Sequence, residues 1–205
     1  MEPAPWIAYD TRMDAPRDDL KSQIRRDALA RRDALSGEFR MTAAETVAMR
    51  AFPIDVPAGA VVSGFFPLKT EINPVRLMRR LAAGGAQLAL PLIVGRGKPL
   101  SMRAFNFGDE LIPGQWGILE PSPDAPEVEP DILLVPLLAF DRVGQRVGYG
   151  AGYYDLTITT LRRKKPIVAL GIAFAAQEIP QVPATPNDAP LDFVLTEREV
   201  IDLRE

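Results

Sequence analysis

The chain has 205 residues, with no cysteine and no histidine among them. The first absence excludes disulfides, thiolate chemistry and Cys/His zinc sites. The second excludes a histidine general base. Chemistry must then run on carboxylates, Lys/Arg, backbone donors, bound Mg²⁺ and the substrate's own groups. That set suits phosphoryl transfer, where positioning and charge neutralisation dominate. Positive charge is not in excess either. The net charge is −3 and the pI about 5.2, which argues against a general nucleic-acid surface. No apolar run is long enough to span a bilayer, so no membrane partner is expected. The opening MEPAPWIAYDTRMDAPRDD lacks the basic and apolar regions of a secretory signal, and a cytoplasmic protein is expected. Internal repeats and low-complexity tracts are missing as well.

What is present is an ordinary globular mix, 47% hydrophobic and 25% charged, on a length that suits one α/β domain. Residues 1–17 carry three prolines and no clear periodicity. They read as an irregular extension, pinned by Trp6 or Tyr9, with the domain proper over 18–205. Leu20, Ile24, Ala28 and Leu35 recur at helical spacing and predict a first helix over about 18–35. Thr42 and Glu45 have capping-box spacing and predict a second helix from near Thr42. Val61–Phe66 reads as a strand. Asn73, Pro74 and Gly84-Gly85 start and stop a third helix. Strands are expected over 87–92 and 100–107, followed by a Pro/Gly/acid-rich connection over 109–130. Ile132–Val135 reads as a strand buried on both faces. A helix to about Arg163, a strand over 167–173, a loop over 180–190 and a short strand over 193–196 complete the chain. Strands alternating with helices predict a single-domain, mostly parallel, Rossmann-like sheet with helices on both faces.

The most informative stretch is DILLVPLLAFDRVGQRVGYGAGYYD, Asp131 to Asp155. A buried strand empties into a polar loop, then into alternate glycines ahead of a helix. Glycine lets successive backbone N–H groups converge on an anion, and the next helix adds its positive end. Arg146 supplies a cation and Asp155 a hard oxygen for Mg²⁺. The spacing is G-x-G-x-G, neither a P-loop nor a dinucleotide fingerprint. A glycine-rich turn needed only for chain reversal would also fit the glycines alone. On the first helix, Lys21 and Arg25 lie four apart on one face. They read either as part of a solvated basic face with Arg26, Arg31 and Arg32, or as cations reaching a polyphosphate. Phe66 and Glu71 flank a strand-to-helix loop at a carboxyl end, where open α/β sheets bind ligands. Glu71 suits the amide/amine edge of a heterocycle, or is a solvated loop acid. Trp116 suits stacking on a planar ring, or is a core tryptophan. Asp188 and Asp192 are loop acids or further ligand carboxylates.

Taken in order, these segments resemble the 5-formyltetrahydrofolate cyclo-ligase family. The resemblance runs from Lys-x-x-x-Arg (Lys21, Arg25) through FFPLKTEI, WGILEP, DILLVPLLAFD and RVGYGAGYYD to PNDAPLDFVLTE, roughly residues 18–197. It implies Mg-ATP held by Lys21, Arg25, Arg146, Val147, Gly148, Tyr149, Gly150, Ala151, Gly152, Tyr153 and Tyr154. It implies Mg²⁺ on Asp155, with Asp188 as a second candidate. It implies a reduced folate against Phe66, Glu71, Trp116 and Tyr153, with Lys21, Arg25, Arg146 and Tyr153 as the catalytic set. A monomer is expected. Two positions depart from the family pattern: Ala151, where glycine or lysine is usual, and Leu156, where an arginine often follows the metal Asp. They keep open a weak or inactive folate- or nucleotide-binding paralogue. A sugar-phosphate isomerase or acyl-transfer enzyme on a similar scaffold is the other alternative.

Overall fold

A computed structural model describes residues 15–114 and 117–204. Helix α1 runs from Ala15 to Asp33, so it starts and ends earlier than its apolar spacing suggests. Helix α2 spans Gly37–Met49, not from Thr42 onward. The cap is Ser36, whose hydroxyl accepts from the Phe39 amide at 3.1 Å, with Glu38 in the first turn. Thr42 is inside the helix, where its carbonyl accepts from the Thr46 hydroxyl. Strand β1 is only Val61–Ser63; the chain leaves the sheet before the expected Phe66. Helix α3 (Val75–Ala83) follows, with Asn73 Oδ1 accepting from the Val75 amide. Then come β2 (Gln87–Leu92) and β3 (Ser101–Phe105).

The connection over 109–130 holds a small antiparallel pair, β4 (Leu111–Pro113) and β5 (Leu119–Pro121), which the Pro/Gly content hides. Strand β6 (Ile132–Pro136) leads to a short hairpin, β7 (Ala139–Phe140) and β8 (Arg146–Val147). Asp141 is buried at its turn and takes the Val143, Gln145 and Val182 amides. Three backbone donors satisfy a carboxylate that would otherwise be costly to bury. Helix α4 (Tyr153–Arg162), β9 (Val168–Ile172), β10 (Phe193–Leu195) and β11 (Val200–Asp202) complete the order.

The main sheet has seven strands in the order β11-β10-β9-β6-β1-β2-β3. Five are parallel, and β3 and β11 close the edges antiparallel. Side chains along β6 alternate between two cores. Ile132 and Leu134 face one core with α2 and α3, whereas Leu133 and Val135 face another with Ile158 and Leu161 of α4. Both faces are covered, as the unbroken apolar run requires. Helix α1 crosses the carboxyl rim and packs Ala28, with Ile24 and Leu29, on the hairpin and Val182. Leu20, counted in its stripe, is half exposed instead. Among the described residues no helix is long and apolar enough to cross a membrane.

Candidate active site

Strand β1 lies between β2 and β6, and the chain winds from it to opposite sides. This is a topological switch point, and open α/β sheets bind ligands in the crevice at the carboxyl ends there. Three pieces meet there: the loop after β1, the glycine loop after β8, and α1 across the top.

On one side is the glycine loop. Gly150 has φ +101° and Gly152 φ +70°, left-handed values that L side chains adopt at a cost. A Cβ built on Gly150 would stand 3.3 Å from the Arg25 guanidinium carbon. Arg25 Nε donates to the Gly148 carbonyl at 3.1 Å, so this cation lies along the loop. Gly152 precedes α4, and no side chain caps that helix. Its first amides are therefore open to an anion. Arg146 is buried and donates to Asp155 Oδ1 at 2.7 Å and to the Ala189 carbonyl. The same Asp155 oxygen accepts from the Ala189 amide at 3.1 Å. Burial pushes the Arg146 guanidinium below its ordinary value, against the pull of Asp155 and Asp188. It stays charged, as guanidinium does in proteins. Lys21 Nζ donates to Asp188 Oδ2 at 2.6 Å. That oxygen also takes the Thr185 amide and hydroxyl. Val147 is buried in the hairpin, and Ala151 is exposed. Asp192, by contrast, pairs with Arg162 and takes the Ala169 amide, which ties α4 to β9.

On the other side is Glu71. Its Oε2 accepts from the Leu68 amide at 2.7 Å and its Oε1 from the Tyr149 hydroxyl at 2.8 Å. Burial lifts its carboxyl above the usual range, opposed by those two donors and by the charge of Arg32. Phe66 stands edge-on to Phe105, which stands edge-on to Phe107, with Arg79 over the Phe107 ring. This chain of rings holds Phe66 in place. Tyr153 and Tyr154 both pack partly buried on the α4 side of the core. It is Tyr154 whose hydroxyl is raised by burial and by the charge of Glu71. Trp116 lies outside the described residues.

One residue of this crevice escaped the sequence. Arg32 reads as part of a solvated face but is 1% exposed. It donates to the Thr70 hydroxyl at 3.1 Å and to the Tyr149 hydroxyl at 2.9 Å. The signal was available in the spacing. Lys21, Arg25, Ala28 and Arg32 follow a four-three-four step, one face of a helix, and Ala28 is core.

Fold and crevice together are those of the doubly wound α/β class, whose members bind ligands at the carboxyl rim of the sheet. The chain belongs to the 5-formyltetrahydrofolate cyclo-ligase family, whose model matches residues 17–197. A 5-formyltetrahydrofolate cyclo-ligase of Mycolicibacterium smegmatis is 30% identical over 193 residues, 90% of this chain and 97% of that protein. That of Escherichia coli K12 is 31% identical over 178 residues, 83% of this chain and 96% of that one. The solved structure of Aquifex aeolicus 5,10-methenyltetrahydrofolate synthetase superposes with TM-score 0.75 at 30% identity. It covers 91% of this chain and 94% of that one. The family is one of ligases, so the expected class of enzyme stands and the isomerase alternative falls.

Proposed function

We propose that this chain converts 5-formyltetrahydrofolate and ATP to 5,10-methenyltetrahydrofolate, ADP and phosphate, with Mg²⁺. The formyl oxygen, a poor leaving group, takes the γ-phosphoryl group. N10 of the folate then attacks the activated carbon and loses its proton, and phosphate departs with the formyl oxygen. The nucleophile belongs to the substrate, so a chain without Cys or His can do this chemistry. The observation that carries the reading is the convergence of Lys21, Arg25 and Arg146 on the uncapped start of α4. These groups would bind the triphosphate and offset charge as the phosphoryl moves. Phe66 and Glu71 would hold the pterin opposite, with Tyr154 between the two halves.

Among the described residues no three acids cluster as a metal cage. Mg²⁺ of nucleotide sites is held by one or two carboxylates plus phosphate oxygens, so the donor set fits. Asp155 would hold it, with Asp188 beside the same arginine. When bound, the ion supplies further charge neutralisation on the phosphates. The paralogue alternative rests on Ala151 and Leu156. Both side chains are exposed, and Lys69 is the one non-glycine among the described residues with positive φ. Neither departure distorts the loop. An active enzyme is therefore the reading retained, and a cytoplasmic monomer stays its expected setting. Mixing the protein with Mg-ATP and 5-formyltetrahydrofolate should produce the methenyl chromophore with matching ADP release. Folded protein giving no product above the no-enzyme control would sink the proposal.

A further inference from the structure

Tyr149 belongs to the glycine loop by sequence, but its side chain serves the other half of the crevice. Its backbone lies between Gly148 and Gly150, both against Arg25. Its hydroxyl lies between Arg32 Nη2 at 2.9 Å and Glu71 Oε1 at 2.8 Å. Arginine has donors only, so the hydroxyl must accept from Arg32 and its single proton must point at Glu71. The direction of the relay is fixed by chemistry: cation, hydroxyl, carboxylate. Each bond polarises the next, from the buried Arg32 outward to a tyrosine that is itself 45% exposed.

Arg32 itself is unusual. Its Nη1 is buried with no partner, and no carboxylate lies within ion-pair distance among the described residues. Its other contacts are the Thr70 hydroxyl at 3.1 Å and the Tyr149 ring, 5.9 Å from the guanidinium. Thr70 in turn donates to Asp33 at 2.5 Å. A buried charge without a charged partner is a poor way to stabilise a fold. It is a sound way to hold a nearby carboxylate ionised and aimed.

We propose that Arg32 and Tyr149 are positioning residues for Glu71, fixing the carboxylate that receives the heterocycle of the folate. This rests on the reading of Glu71 as a substrate ligand. With Leu68 N–H on one oxygen and Tyr149 on the other, the remaining lone pairs of Glu71 are left for the N–H donors of the ligand. The titratable and charged groups facing Glu71 are Arg32 from α1, Tyr149 from the loop and Tyr154 from α4. Across an adjoining cavity of about 210 Å³ stand Arg40 and Glu45 of α2 and Arg76 of α3. The backbone of the loop that carries Tyr149 lies on Arg25, so the residue borders the phosphate side with its main chain and serves Glu71 with its hydroxyl alone.

The test compares Tyr149→Phe, Arg32→Lys and Glu71→Gln with the parent enzyme, measuring KM for each substrate and kcat/KM against pH. Tyr149→Phe keeps the ring and removes the hydroxyl. It should raise KM for 5-formyltetrahydrofolate about tenfold, the scale of a hydrogen bond to a charged group, and leave KM for ATP within about twofold. The hydroxyl favours charged Glu71, so its loss should move the acid limb of kcat/KM for the folate to higher pH. A merely structural tyrosine would not move that limb. Arg32→Lys keeps charge but not the fork, and should act in the same direction. The double variant should be little worse than either single one, because one relay is broken twice. If Glu71→Gln raises the folate KM while Tyr149→Phe leaves it unchanged or lowers it, the relay is refuted and the Glu71 assignment survives. If Glu71→Gln leaves the folate KM unchanged, the Glu71 assignment itself falls.

Discussion

The two halves of the crevice handle charge in opposite ways. On the side proposed for the phosphates, Lys21 is paired with Asp188 and Arg146 with Asp155, at 2.6 and 2.7 Å. On the side proposed for the folate, Arg32 is buried without a carboxylate among the described residues, and Glu71 is half-buried with only neutral donors on its oxygens. The first half compensates two of its three cations and holds the third, Arg25, on a backbone carbonyl. Under the proposed function, arriving phosphates and Mg²⁺ would compete with existing pairs, phosphates for the cations and metal for the acids. The second half is held ready, its acceptor fixed and its counter-charge one hydroxyl away. A compensated site tolerates a strongly charged ligand that comes and goes. A prebuilt acceptor suits a heterocycle recognised by a few directed hydrogen bonds.

The contrast is most easily broken at Arg146. Its guanidinium is nearly fully buried and bridges Asp155 to the Ala189 carbonyl, thereby joining α4 to the loop before β10. Arg146→Ala leaves a carboxylate facing an empty space. Removing one partner of a buried pair costs about 3–5 kcal/mol. Asp155 keeps some solvent contact, so the lower end is expected, along with a loss of ATP-dependent turnover. Urea unfolding measures the first and the methenyl assay the second. A stability change under about 1 kcal/mol would mean that the phosphate side is not held by its pairs.

Much of this was open to reading in the chain, and the failures have definite causes. The β6 run and the segment Gly148 to Asp155 carried the fold and the loop because their patterns are local: an unbroken apolar run, alternate glycines, then a helix. The resemblance gave the family. Pairing between distant side chains was not legible. Nothing local joins Lys21 to Asp188 or Arg146 to the carbonyl of Ala189, and both contacts exist only once α1 and the 180–190 loop are placed. Arg32 was lost for a different reason. Three arginines at 26, 31 and 32 look like one solvated face, and only the buried Ala28 shows which of them turns inward. The Thr42–Glu45 spacing misled because Ser36 already capped the helix. The β4–β5 pair and β11 were missed because three-residue strands carry almost no periodic signal.

Glu71 sharpens the comparison through pH. Burial raises its folded pKa above the unfolded carboxylate value of 4.5. The folded state then binds the proton more tightly than the unfolded one. The contribution of Glu71 to stability is fully present below the unfolded pKa, and it is lost as pH rises through the raised folded value. Glu71→Gln removes this term. The stability of the variant should fall less than that of the parent as pH rises from the ordinary carboxylate range toward neutrality, while its folate KM rises. Urea midpoints across that range check the sign. Parallel curves for parent and variant would mean that Glu71 is not the desolvated acceptor that sets the folate half apart.

The smallest effect is expected at Ala151, in the middle of the phosphate half. Its neighbour Gly150 needs positive φ and lies on the Arg25 guanidinium, so a methyl there meets both backbone strain and a cation. Ala151 has neither constraint: its φ is not positive and its side chain faces solvent. Restoring the glycine of the family pattern therefore relieves nothing in the folded loop. It adds freedom to the unfolded chain, at a cost of about 0.4–1 kcal/mol in stability. Ala151→Gly should change ATP affinity less than tenfold, that is by under about 1.4 kcal/mol. Titration calorimetry with Mg-ATP decides. A much larger gain in affinity, from near-zero activity in the parent, would show that alanine blocks the loop. The phosphate half would then be a degraded site beside an intact folate half.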